Sequence, residues 1–339
     1  MRNEYNIAVA GATGAVGTMM LKLLGERDFP VKNLRALASE RSAGQAVTFA
    51  GHEVEVEELT TGSFENTDIA LFSAGGARSK EFAPAAVDAG AVVIDNSSAF
   101  RMDPSVPLVV PEVNPEDLKW HEGLIANPNC STIQMVVALK PIQDAVGIRR
   151  IVVTTFQSVS GTGNKAIEEL FAQSEAVLES GEIQAEVYPH QIAFNILPQI
   201  EHFHVNGYTN EEVKMINETR KIFGEPGMQM TATCVRVPVF IGHSESVNIQ
   251  TVRPISVDEV RRLMLEAPGV ALMDDPTTQS YPMPLNAEGT DDVYVGRIRA
   301  DDSAENALNL WVVSDNLRKG AAANAVQIAE YLLAHSLLE

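Results

Sequence analysis

The stretch N6-IAVAGATGAVGTMMLKLLGE-R27 decides the fold of the amino-terminal part of this chain. A five-residue apolar run, NIAVA at 6–10, has strand length, and the helical pattern MMLKLLGER begins just past the glycines. Between them Gly11, Gly14 and Gly17 make a G-x-x-G-x-x-G turn from strand to helix. A tight turn of this kind leaves backbone amides exposed at a helix amino end, where they can hold a pyrophosphate. Glycine turns also connect strands to helices without any ligand, and the spacing differs from the commoner G-x-G-x-x-G. The alternation continues through LRALAS, DIALFSAG, a helix ending near 88–90, and AVVIDNS, so this part reads as repeated β-α units on a doubly wound parallel sheet.

After NPNC at 127–130 the pattern changes. A helix over about 131–145 leads into RRIVVTTFQSVSG, a β-branched strand suited to a mixed open sheet, and a second domain is expected from residue 130. Helices are expected over 163–181, over NEEVKMINETRKIFG and at VDEVRRLMLEA. Strands are expected at ATCVRVPVF, SVNIQTV, VYVGRIRA and ALNLWVVS, with 182–210 irregular. The closing NLRKGAAANAVQIAEYLLAH is expected to return to the first domain, which therefore comprises 1–129 plus 316–339, with 130–315 as the second.

The 339 residues are 45% hydrophobic and 21% charged, enough for two domains with a core each. A formal net charge of −20 and a pI near 4.7 disfavour nucleic acid as a partner. No stretch approaches a membrane span, and MRNEYNIAVAG lacks the pattern of a signal peptide, so a cytoplasmic protein is expected. Two cysteines without zinc-ligand spacing read as separate thiols.

Cys130 falls at the mouth of the apolar helix STIQMVVALKPI, where unsatisfied amides and the helix dipole favour a thiolate nucleophile. An inert buried thiol is the alternative, and the polar flanks Asn129 and Ser131 argue against it, whereas Cys234 in TATCVRV has that structural context. Of seven histidines, His243 in FIGHSESVN leads as proton partner; His202 and His204 lack a third ligand, and no metal site is expected. Arg236 in CVRVPV reads as mid-strand, where an unpaired charge is expensive, so it grips either a substrate carboxylate or a structural acid. Arg101 follows DNSSAF, and Lys214 shares a helix face with Glu211. At the end of the second strand, LASERSAG offers Glu40 to a ribose hydroxyl, as in NAD sites. It also offers Ser39, Arg41 and Ser42 to a 2′-phosphate, as in NADP sites, and the residues themselves leave this choice open.

Taken in order, GATGAVG, SERSAG, DNSSAFRM, VVPEVN, NPNCST, TFQSVSGTG, NEEVK, CVRVPV and GHSESVN resemble the aspartate-semialdehyde dehydrogenase family over essentially the whole chain, and PHQIAFNILPQI resembles its bacterial branch. The resemblance implies an α/β fold: a Rossmann-type NADP-binding domain joined to a glyceraldehyde-3-phosphate-dehydrogenase-like α+β catalytic and dimerisation domain. It also implies a homodimer and NADP as cofactor, with Glu40 pointing away from the ribose. Catalytic roles would fall on Cys130 as acyl-enzyme nucleophile, His243 as acid-base group and Gln157 as orienting group. Substrate and phosphate would be held by Arg101, Asn129, Glu211, Lys214 and Arg236. The cofactor would be held by Gly11, Thr13, Gly14, Ala15 and Val16 at the pyrophosphate, by Ser39, Arg41 and Ser42 at the 2′-phosphate, and by Ser160, Gly161 and Asn316 on the nicotinamide side. Many relatives carry Gln at the last position. The implied reaction is the reductive dephosphorylation of L-4-aspartyl phosphate to L-aspartate 4-semialdehyde, on the route to lysine and diaminopimelate, methionine, threonine and isoleucine. N-acetyl-gamma-glutamyl-phosphate reductase is the enzymatic alternative, though its usual GCYPT context does not fit NPNCST. A non-catalytic NADP-binding paralogue is the other, and the presence of both Cys130 and His243 argues against it.

Overall fold

Strand β1 (Tyr5–Ala10) delivers the chain into Gly11, and helix α1 (Ala15–Glu26) carries it back over the sheet. A computed structural model describes residues 4–338, which form two compact units: 4–129 with 321–338, and Cys130–Gly320.

The first unit adds β2 (Val31–Ala38), β3 (Ala46–Phe49), β4 (His52–Glu58), β5 (Ile69–Phe72), α2 (Gly76–Asp88), β6 (Val92–Asp95) and β7 (Leu124–Ala126). Its seven-stranded sheet has the order β3-β4-β2-β1-β5-β6-β7. The strands run parallel except β3, which is antiparallel to β4. β5 and β6 are buried throughout, as expected of strands covered on both faces. The order reverses on either side of β1, which puts the carboxyl ends of β1 and β5 at a topological switch point. The β3–β4 hairpin was not among the expected elements. Its turn is Ala50-Gly51, both at positive φ (47° and 81°), a conformation that Asn-Gly or Asp-Gly would have signalled and Ala-Gly does not. The closing helix, Ala323–Ala334, buries Ala325, Val326, Ile328, Ala329 and Leu332 in one core with Met20, Leu21 and Leu24 of α1, so it does return to the first unit.

The second unit contains α3 (Cys130–Val146), β8 (Ile148–Gln157), α4 (Asn164–Leu178), α5 (Asn210–Phe223), β9 (Gln229–Arg236), β10 (His243–Thr251), α6 (Val257–Glu266), β11 (Val270–Leu272), α7 (Pro284–Ala287), β12 (Val293–Asp301) and β13 (Ala307–Ser314). Its six-stranded mixed sheet has the order β11-β12-β13-β10-β8-β9. Helix α5 starts at a capping box between Thr209 and Glu212 and stops at Gly224, which takes the left-handed conformation (φ 65°). The irregular stretch before it is tied down by buried side chains of α4. The Glu169 carboxylate accepts the amides of Glu186 (2.8 Å), Val187 (2.5 Å) and Tyr188 (3.3 Å), and Gln173 accepts those of Ile192 (2.9 Å) and Ala193 (3.2 Å). These bonds replace the ladder a strand would have supplied.

Two expectations are corrected. The second unit extends to Gly320, so 316–320 do not belong with the first unit: Arg318 pairs with Asp291 (2.8 Å) and Gly320 lies against Cys130 in the π-type turn at Arg318–Ala322, before the closing helix begins. Arg236 is the last residue of β9, not a mid-strand residue, so its side chain lies at the sheet's edge and can reach the loop beyond it. Among the described residues no helix is long and apolar enough to cross a membrane.

Candidate active site

In the first unit the glycine turn is sterically committed. Gly11 has φ 88°, and a Cβ there would stand 2.3 Å from the Ser73 carbonyl oxygen at the switch point. A Cβ on Gly17 would stand 2.1 Å from the Gly11 oxygen, so only glycine lets α1 pack this close to the turn. Helix α1 begins at Ala15 behind Gly14, which provides no side-chain cap, so Ala15 and Val16 open a helix whose amino end suits an anion. Thr13 and Thr18 line a cavity of about 780 Å³ that is bounded also by Lys22, Gln45 and Thr48. Residues Glu40–Ser42 form one short turn after β2, with Ser39 and Ser42 half-buried and Glu40 and Arg41 exposed. The glycine turn and the amino end of α1 suit the pyrophosphate of a dinucleotide. Arg101 is buried and braced by carbonyls: its Nε donates to Asn127 O (2.9 Å) and its Nη2 to Asn96 O (2.9 Å). Asn127 is held in turn by Asn324, whose Nδ2 donates to its Oδ1 (2.7 Å), and Asn129 is buried two residues on.

In the second unit Cys130 is the first residue of α3 and is half-buried. Gly320 lies against it: a Cβ there would stand 2.9 Å from the Cys130 Cβ. One turn along α3, Gln134 accepts from Ser314 Oγ (2.7 Å) and its Nε2 lies 3.4 Å from the His243 carbonyl, linking the cysteine's helix to the ends of β13 and β10.

Strand ends then gather the other candidates at one edge of the sheet. Gln157 and Arg236 close β8 and β9 as register partners, and His243 opens β10 opposite Ser314, the last residue of β13. Gln157 Nε2 donates to Glu211 Oε1 (3.2 Å), and Glu211 is paired with Lys214 at 3.3 Å, while Lys214 also binds Glu201. Arg236 Nη1 donates to the Ser158 carbonyl (2.6 Å), and its guanidinium carbon lies 5.9 Å from the centre of the Tyr188 ring. His243 is fully buried, with Nδ1 within 3.1 Å of the Ser158 amide and 3.0 Å of its hydroxyl. Burial, and then the charge of Arg236, hold the His243 pKa well below its usual value, so the ring is neutral at pH 7. Asn316 is buried behind it, bonded to Ser158, Ser160 and the Gly242 amide.

Two buried polar atoms here, His243 Nε2 and Arg236 Nε, have no hydrogen-bond partner among the described residues. Gly161 marks the space beside both side chains, since a Cβ on it would stand 3.3 Å from His243 Nε2 and 3.1 Å from Arg236 Nη1. Two orphaned buried groups beside the same glycine point to a ligand that completes them.

Other candidates do not join this cluster. Cys234 is buried with its Sγ 3.6 Å from the Met215 sulfur, and burial pushes its thiol far above the ordinary range, which makes it inert at neutral pH. His202 and His204 are exposed with ring centres 5.2 Å apart, and the described residues contain no group of three or more side chains that could hold a metal. Sequence reasoning passed over Ser158, Tyr188 and Glu201. Ser158 directly follows Gln157 in a glycine-flanked serine loop, which could have signalled it; nothing local marks Tyr188 or Glu201, because the fold brings each in from the irregular segment.

Residues 6–121 match the model for the semialdehyde dehydrogenase NAD binding domain, and residues 139–319 that for the semialdehyde dehydrogenase dimerisation domain. The aspartate-semialdehyde dehydrogenase of Aquifex aeolicus is 58% identical, covering 98% of this chain and 99% of its own. The crystal structure of aspartate semialdehyde dehydrogenase II from Vibrio cholerae, complexed with ASA, superposes with a TM-score of 0.96 at 51% identity over 98% of this chain and 99% of that one. The aspartate semialdehyde dehydrogenase of Candida albicans, solved with NADP, gives a TM-score of 0.78 at 27% identity over 98% of this chain and 99% of that one. With its glycine turn, a cysteine that opens a helix and a buried histidine, the chain belongs to the aspartate-semialdehyde dehydrogenase family, a family of nicotinamide-dependent oxidoreductases.

Proposed function

We propose that the chain reduces L-4-aspartyl phosphate to L-aspartate 4-semialdehyde with NADPH, through a thioester on Cys130. The observation that carries this reading is the pair of unsatisfied atoms, His243 Nε2 and Arg236 Nε, in the same unit as a half-buried cysteine at a helix amino end. The Cys130 thiolate attacks the acyl carbon; inorganic phosphate leaves and a thioester remains. A thioester accepts hydride readily and a carboxylate does not, which is why the covalent step precedes reduction. Bound NADPH supplies the hydride. Once the thioester is reduced, Cys130 leaves as thiolate and the aldehyde is released. His243 holds and moves the proton at Nε2, and first-turn amides of α3 favour negative charge on the substrate oxygen.

Arg236 receives the substrate carboxylate, Gln157 orients the acyl group, and Glu211, fixed between Gln157 and Lys214, receives a free α-amino group. That carboxylate favours the aspartyl substrate over the acylated one of N-acetyl-gamma-glutamyl-phosphate reductase, which has no ammonium to pair with it. Phosphate recognition falls on Arg101, Asn129 and Lys214. Ser39, Arg41 and Ser42 give NADP the preference over NAD, with Thr13–Val16 at the pyrophosphate and Ser160 and Gly161 at the nicotinamide. The enzyme works as a cytoplasmic homodimer in the aspartate-derived route to lysine and diaminopimelate, methionine, threonine and isoleucine. The test is NADP reduction with L-aspartate semialdehyde, with and without inorganic phosphate, beside N-acetylglutamate semialdehyde. Phosphate-dependent turnover of the aspartate compound alone is expected, and Cys130→Ala should abolish it while NADPH still binds. Turnover that persists in Cys130→Ala would refute the thioester.

A further inference from the structure

Proton transfer at His243 Nε2 places a demand on the other ring nitrogen. A neutral imidazole that is to accept a proton at Nε2 must carry its hydrogen on Nδ1, and a buried Nδ1–H needs an acceptor. Two groups of Ser158 reach Nδ1, the amide at 3.1 Å and the hydroxyl at 3.0 Å, and the Gly242 backbone also favours the protonated ring. The amide only donates, so by itself it selects the ring form with hydrogen on Nε2, which cannot act as a base there. The hydroxyl can accept, provided its own hydrogen is directed elsewhere.

Asn316 supplies that direction. Its Oδ1 lies 3.0 Å from Ser158 Oγ. The orientation of its amide is fixed at both ends, because the Gly242 N–H donates to Oδ1 (2.9 Å) and Nδ2 donates to Ser160 Oγ (2.9 Å). Gly242 directly precedes His243 and has φ 93°, so the same oxygen also fixes the bend that aims the ring. Asn316 was expected on the nicotinamide side; here its oxygen and its nitrogen are both engaged by the histidine's own surroundings.

We propose that Asn316 is a positioning residue for proton transfer at His243: by taking the Ser158 hydroxyl hydrogen it turns an Oγ lone pair toward Nδ1 and makes available the ring form whose Nε2 accepts a proton. In that form Nδ1–H donates to Ser158 Oγ and Ser158 O–H donates to Asn316 Oδ1, while the Ser158 amide gives up the bond it donates to Nδ1 in the other ring form. When Nε2 receives a proton one N–H bond forms there, Nδ1 keeps its hydrogen, and the resulting imidazolium has its buried donor satisfied. This inference rests on the acid-base reading of His243.

The charges around the ring come from few sources. Arg236 faces it from β9 and opposes protonation. On α3 the polar neighbour is neutral Gln134, whose Nε2 lies 3.4 Å from the His243 carbonyl. Asp315, beside Asn316, directs its oxygens to the amides of Leu317, Arg318 and Gly289. Burial pushes the pKa of Glu245, further along β10, well above the ordinary carboxylate range. Any shift in the titration of His243 caused by Asn316 therefore acts against a fixed background set first by burial and then by Arg236.

The experiment compares the parent enzyme with Asn316→Ala, Asn316→Asp, Ser158→Ala and the double alanine variant. Three quantities are read: the pH profile of kcat/KM, the KM for NADPH, and the nitrogen-15 resonances of His243 in the resting enzyme. Each single alanine variant should lower kcat about 10- to 100-fold, the range typical of orienting partners. Its acid limb should move to lower pH, because the imidazolium has lost its acceptor. Asn316→Asp keeps the accepting oxygen and adds negative charge, so it should recover rate and move the limb upward. The double variant should be no worse than the poorer single one. A rise in KM for NADPH with an unmoved limb would make Asn316 a cofactor contact and overturn the proposal. A rate loss that Asp does not rescue, with the limb unmoved, would overturn it in favour of packing. If the parent turned over neither aldehyde, the functional reading would fail, and the resonances of His243 would still decide this inference: identical titration in parent and Asn316→Ala would refute it.

Discussion

Glu245 sits on β10 two residues after His243, is 0% exposed, and neither of its carboxyl oxygens has a hydrogen-bond partner among the described residues. Burial holds its pKa well above the ordinary carboxylate range, with Gln134 offsetting part of the effect. The folded protein therefore binds this proton at pH values where the unfolded chain, titrating near an ordinary value of about 4.3, has released it. The sign follows directly: the stability tied to the protonated carboxyl is complete below about pH 4.3 and falls as pH rises toward the folded-state value. Across that window the unfolding constant increases about tenfold per pH unit, a little over 1 kcal/mol each. Glu245→Gln keeps the shape and removes the proton. The variant should match the parent near pH 4.5 and exceed it increasingly as pH rises from there toward the folded-state value. For a unit of this size the gap in Tm should widen by roughly 3 to 5 °C per pH unit. Thermal or urea unfolding of the two proteins, followed by tryptophan fluorescence at several pH values, measures this. A stability difference that is the same at pH 5 and pH 7 would refute the reasoning, because packing alone would then account for it.

Gly320→Ala should cripple turnover while leaving nicotinamide binding intact. The new methyl would lie 2.9 Å from the Cys130 Cβ, and displacing the proposed nucleophile by even part of an ångström costs about tenfold or more in kcat; an unchanged kcat would mean the π-type turn yields freely. Glu169→Ala leaves three backbone amides without their acceptor, which should destabilise the segment over 179–209 by about 2 to 3 kcal/mol and speed proteolytic cleavage within it. Because Tyr188 of that segment packs on Arg236, the KM for the proposed acyl-phosphate substrate should rise as well, and cleavage at the parent rate would show that Glu169 does not anchor it.

The strand-glycine-helix opening was legible because sterics leave it no alternative: Gly11 and Gly17 each stand where a Cβ would strike a backbone oxygen. Cys130 was legible for a different reason, since asparagines and hydroxyls rarely flank a cysteine that is only core. What the sequence left open was set by tertiary contact. The β3–β4 hairpin turns on Ala-Gly, a pair without strong turn chemistry. Arg236 looked mid-strand because Val237, Pro238 and Val239 continue the apolar run, yet the ladder stops at Arg236. Ser158 and Asn316 lie far apart in sequence, and their meeting at His243 depends on the β10–β13 register, which no local pattern encodes.

The discontinuity of the first unit has a consequence for how the protein is made. Its parallel sheet emerges early from the ribosome, but the helix that covers part of its core, Ala323–Ala334, follows only after the whole of Cys130–Gly320 has been synthesised. At ordinary elongation speeds that interval is roughly 10 to 40 seconds. During it Met20, Leu21 and Leu24 lack their final covering, and the nascent chain presents an apolar surface that chaperones can hold. Vectorial synthesis thus finishes the nucleotide-binding half last, although its strands are made first.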